Sequence, residues 1–90
     1  MGMKDLNFDS LSIEEMKIKV FELEAVDYDE IKAAHPGMKD DEIFQRMEDQ
    51  YIAFMRDELK KPPERLAMFR KLMKAVRPVL KVYLESRSRS

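Results

Sequence analysis

Between Leu66 and Tyr83 the apolar residues return at intervals of three, four, three, four and three: Leu66, Phe69, Met73, Val76, Leu80 and Tyr83. That spacing is the a/d seam of a helix carried through nearly three heptads, and no strand can place those six side chains on one face. Leu72 and Val79 widen the seam on one side, and Met68, Ala75 and Val82 widen it further. The apolar arc of this helix therefore exceeds half its circumference, more than a surface helix of a small bundle needs. Pro63 suits its first turn, where a missing N–H costs little. Pro78 lies within it and is expected to kink it, because the bond to the Lys74 carbonyl is lost.

The rest of the chain reads in the same terms. Glu, Lys, Leu, Met and Ala are abundant, with two glycines and four prolines in 90 residues, a composition that favours helix. Ser12 and Glu15 have the spacing of a capping box and mark the start of a first helix. Ile13, Met16, Val20 and Leu23 form one apolar stripe on it, and Ile18, Phe21 and Ala25 form a second, so this helix calls for neighbours on two sides. Asp27 or Asp29 is expected to cap a short second helix that His35-Pro36-Gly37 ends. Asp40 and Asp41 open a third helix near residues 40–60, where their charge suits the helix dipole. Ile43, Phe44, Met47, Tyr51, Phe54, Met55 and Leu59 lie within half its circumference, and Glu48 and Glu58 fall inside that arc as carboxylates that call for cationic partners.

The expected fold class is all-α: a small bundle of three main helices plus one short helix, built on a long antiparallel C-terminal hairpin with a two-residue proline connection. Residues 1–11 form a flexible N-terminal segment in this reading, residues 12–85 a single helical domain, and residues 86–90 a disordered Ser/Arg tail. Phosphates on Ser86, Ser88 or Ser90 would offset the neighbouring Arg charge. A bundle this small hides only about 60–65% of the surface its unfolded chain exposes. The last helix and the second stripe of the first are thus expected to bury surface in a homodimer.

Charge is divided unevenly. Residues 1–58 hold seven Lys/Arg against sixteen Asp/Glu, and residues 59–90 hold ten Lys/Arg against Glu64 and Glu85. Arg70, Lys71, Lys74, Arg77 and Lys81 gather on the narrow polar face of the last helix, which makes that face the candidate partner-binding surface. A basic amphipathic helix suits an acidic protein groove, nucleic-acid phosphate or an anionic membrane surface. The overall acidity weighs against phosphate, and burial of the apolar arc competes with membrane docking, so a protein partner is preferred. Nucleic acid is the alternative, through the basic helix or through a ribbon. Met16-Lys17-Ile18-Lys19-Val20 alternates with period two, and a strand there followed by a short helix, a turn at Gly37 and a helix from Asp40 is similar to the ribbon-helix-helix repressors. That resemblance implies Lys17, Lys19 and Phe21 facing bases. Helix remains the preferred reading of the segment.

Little in the chain suggests catalysis or a cofactor. Cysteine is absent, which removes disulfides and thiolate metal sites. His35 is the only histidine and lacks the partner spacing of a metal pair, while Asp27, Asp29 and Glu30 lack the glycine and the closing glutamate of a calcium loop. No enzyme, metal or cofactor is expected. A cytoplasmic setting follows as the default: no stretch approaches the roughly 20 apolar residues of a bilayer span, and the start has neither a signal-peptide pattern nor, with Leu6 at its sixth position, a myristoylation motif.

Overall fold

The computed structural model describes residues 10–88 and resolves them into three helices: α1, Ile13–Ala34; α2, Asp40–Asp57; and α3, Pro63–Ser88. The expected capping box forms. The Ser12 hydroxyl accepts from the Glu15 backbone N–H and a Glu15 carboxylate oxygen accepts from the Ser12 N–H, both at 3.2 Å. Two of the free N–H groups at the start of α1 are thereby satisfied.

The strand reading of residues 16–22 is overturned, since the whole segment lies inside α1. With it goes the Lys17/Lys19 ribbon. The period-two alternation covers only five residues, whereas Met16, Val20 and Leu23 at helical spacing all enter the core. The short second helix is also corrected: it is the last part of α1. No proline or glycine interrupts residues 13–34, so nothing stops propagation through Asp27 and Asp29. Those carboxylates serve other helices instead of capping their own. Asp27 accepts a hydrogen bond from the Tyr51 hydroxyl, and Asp29 accepts two from the Arg87 guanidinium, at 2.5 and 3.0 Å.

His35 ends α1, its N–H donating to the Ile31 carbonyl at 2.8 Å. The connection to α2 is fixed by Tyr28, whose hydroxyl donates to Asp40 at 2.7 Å, and by Lys32, whose ammonium donates to the Met38 carbonyl at 3.1 Å. α2 has no side-chain cap but carries Asp40, Asp41 and Glu42 in its first turn. It ends three residues short of the expected boundary. Residues 58–62 therefore make a five-residue connection, and Glu58 is exposed at the C-cap, outside the apolar arc. Within this connection Lys60 takes the left-handed conformation, φ 54°, and the Lys61 N–H returns to the Met55 carbonyl at 2.9 Å.

α3 runs unbroken through Pro78 and continues to Ser88, beyond the end expected at residue 85. Pro78 lies on the exposed side, where water can serve the Lys74 carbonyl that the proline leaves without a donor. Arg87, expected in the tail, is held by its fork to Asp29. At 1.5 Å per residue, 26 residues span about 39 Å, the longest dimension of the molecule, 39 Å.

All three helices feed one core, with Met16, Val20 and Leu23 meeting Ile43, Phe44, Met47 and Tyr51 and the α3 residues Phe69, Met73, Val76 and Leu80. Leu11, ahead of α1, packs half-buried against it. Each fully buried side chain of this size stabilises the fold by roughly 1.5–3 kcal/mol relative to exposure. The seam of α3 does not reach the core at both ends. Tyr83 is 40% exposed and Leu84, at 8%, replaces it. A 3.5-residue repeat drifts about 20° per heptad on a straight helix, which carries the last seam position outward.

Candidate interaction surface

The five basic residues of the candidate surface on α3 do not form one solvent-facing row. Arg70, Lys71, Lys74 and Lys81 are exposed and Arg77 is half-buried. Arg77 and Lys81 turn onto α2: the Arg77 guanidinium sits 5.3 Å and the Lys81 ammonium 5.8 Å from the centroid of the Phe44 ring. Lys81 also lies 3.9 Å from Asp41. Long cationic side chains at the margin of an apolar arc lay their stems along the core and their charge over an aromatic face. Helical angle alone places all five within one sector, and only the position of Phe44 on the neighbouring helix separates them.

Arg77 faces the one buried charged residue among those described, Glu24 of α1, which is 1% exposed. Glu24 Oε2 and Arg77 Nε are both buried without a hydrogen-bond partner. Burial pushes the Glu24 carboxyl up to about 7; the Arg77 charge opposes this, while Glu48 of α2 and Asp27 of α1 add to it. Tyr51, whose hydroxyl donates to Asp27, is pushed up strongly by burial and by that bond. Sequence reasoning singled out Glu48 and Glu58 as the inward carboxylates and passed over Glu24. Glu48 is half-buried and accepts from Gln45 at 3.2 Å. The signal for Glu24 was present, one helical turn after Val20 and one before Tyr28, both of them buried.

Two clefts flank this centre. One, about 430 Å³, is lined by Tyr28, Lys39, Asp40, Asp41, Lys81 and Arg87 among others. Its charges are interleaved and neutralise one another, as in the Lys81–Asp41 and Arg87–Asp29 pairs. The other, about 470 Å³, runs between α1 and α3 and is largely apolar: Ile18 and Phe21 on one wall, Ala75, Val76 and Val79 on the other, with Glu14, Lys17 and Glu22 at its margin. Ile18 is 57% exposed, Val79 61% and Val82 66%. The Phe21 ring meets Tyr83 edge-on, centroids 5.3 Å apart, and continues the apolar floor along α3. The second stripe of α1 and the surplus arc of α3 are thus joined on one open face.

No group of His, Asp and Glu able to hold a metal ion occurs among the described residues, and none of their helices is long and apolar enough to cross a membrane. Compared with known proteins, the chain matches no protein-family model, no curated protein and no solved structure.

Proposed function

We propose that this protein is a non-enzymatic interaction or regulatory module that associates with itself across the α1–α3 face and docks a protein partner through the basic side of α3. Carrying this reading is the single open face on which Ile18, Phe21, Val79, Val82 and Tyr83 lie exposed or half-buried side by side. Apolar patches rimmed by charge are where soluble proteins meet partners. Arg70, Lys71 and Lys74 are exposed on α3 and supply the basic side in this reading, beside Arg77 and Lys81, which lie over Phe44. In this reading α2 and α3 form an antiparallel hairpin that keeps the face flat. The order of their contacts supports that arrangement, with Asp41 beside Lys81, Phe44 beside Arg77 and Tyr51 beside Phe69.

Light scattering behind size exclusion, at 50 and 500 mM salt and with a mixed DNA/RNA pool, tests the function. The expected result is a dimer that ignores nucleic acid. A nucleoprotein peak that dissolves at high salt would replace this reading with phosphate binding by Arg70, Lys71 and Lys74, because phosphate affinity falls by orders of magnitude over such a range.

A further inference from the structure

The two helices that wall the apolar face carry opposite charge. α1 holds seven carboxylates and three lysines, whereas α3 holds seven Lys/Arg and two glutamates. Of these, Glu14 and Glu22 border the apolar groove on the α1 side together with Lys17, whose ammonium lies 3.6 Å from Glu14, and Lys71 and Lys74 are exposed on α3. The two helices also run in the same direction, since Ile18 lies across from Ala75, Phe21 from Tyr83 and Asp29 from Arg87. One turn before Ile18 is Glu14, and one turn before Ala75 is Lys71, so acid and base stand level with one another across the groove.

A self-complementary contact between two copies needs a two-fold axis in the plane of the face. An axis across the helices would set α1 on α1 and α3 on α3, like charge on like. An axis parallel to the helices sets α1 of each copy on α3 of the other and keeps their levels matched. Resting on the self-association proposed above, we infer that the face is closed by a second copy of this chain about an axis parallel to α1 and α3. Ile18 and Phe21 of one copy then pack on Ala75, Val79 and Val82 of the other, Glu14 stands level with Lys71 of the second copy, and the acidic flank of α1 that Glu22 continues runs along the basic flank of α3. Opposed edges of this kind set orientation and partner choice more than total affinity.

The test is a charge exchange read by sedimentation equilibrium at low salt. One variant carries Glu14→Lys and Glu22→Lys, the other Lys71→Glu and Lys74→Glu; Glu15 is left in place because it closes the capping box. Each variant alone is expected to dimerise about ten-fold more weakly than the parent. Their equimolar mixture should regain roughly the parental affinity as a heterodimer, a recovery that also shows both variants are folded. Variants that dimerise as well as the parent, with a mixture tighter than either, would overturn this arrangement in favour of like helices in contact while leaving self-association intact. A parent protein that stays monomeric would overturn the self-association reading itself.

Discussion

Glu24 is the residue at which the fold is most sensitive to its solvent. Its carboxyl ordinarily titrates near 4.5 and is pushed up to about 7 in the folded chain, so the fold binds this proton more tightly than the unfolded chain does. Stability owed to this group is present below about 4.5, falls as pH rises towards 7, and levels off above it. At 1.36 kcal/mol per unit the whole change amounts to at most a few kcal/mol. Glu24→Gln should abolish that slope and leave the variant more stable than the parent at pH 8, which urea unfolding at pH 5 and pH 8 would measure. Equal pH dependence in the two proteins would show that the carboxyl is not the group that titrates. Lys60 poses a different problem, being a residue with a side chain in the left-handed region. Lys60→Gly relieves that cost and should raise stability by about 0.5–1 kcal/mol despite the added freedom of the unfolded chain. A lower thermal midpoint in Lys60→Gly would contradict this. Neither residue announces itself in the sequence: Glu24 is buried because two other helices close over it, and Lys60 is bent back by the return of the Lys61 N–H to Met55.

At the scale of the element, what could be read from the sequence is what depends on neighbours close along the chain. The Ser12–Glu15 box, the stop at His35-Pro36-Gly37, the acidic start of α2 and the proline start of α3 all stand where the sequence places them, because each is decided within four residues. Ser12→Ala should therefore cost about 1 kcal/mol, seen as a lower urea midpoint without a change in slope. An unchanged midpoint would mean that Leu11 and the α1 core residues hold the helix start without the box. Errors arose where a residue had a competing partner farther away. Asp27 and Asp29 have the chemistry of caps, yet Tyr51 and Arg87 occupy them, and α1 passes through. Arg87 in turn belongs to the described helix and not to the tail. Five residues of alternation suggested a strand, but strands need partners, and no strand occurs elsewhere among the described residues to pair with one. The candidate site divides in the same way. The exposure of Arg70, Lys71 and Lys74 was legible from helical angle alone. The departure of Arg77 and Lys81 was not, because it depends on Phe44 being delivered by another helix.

For the whole molecule, the decisive fact is that three helices cannot cover the apolar surface this sequence contains. α3 is apolar over more than half its circumference, α2 covers one side of that arc and α1 another, and the strip from Ala75 to Tyr83 remains partly open beside Ile18. The uneven charge recognised in the sequence becomes, in three dimensions, an acidic helix and a basic helix flanking that strip. Fold class, helix register and the existence of surplus apolar surface were all accessible from periodicity. Its assembly into a single face was not, because that depends on which sides of α1 and α3 meet. The most direct test of this account is sedimentation equilibrium of the parent and of Val79→Asp, from about 1 to 100 µM. Val79 is 61% exposed, so the substitution leaves the core intact and places a charge in the centre of the face. The account predicts a dimeric parent and a folded, monomeric Val79→Asp; a parent that is monomeric throughout, or a Val79→Asp that dimerises as tightly as the parent, would contradict it.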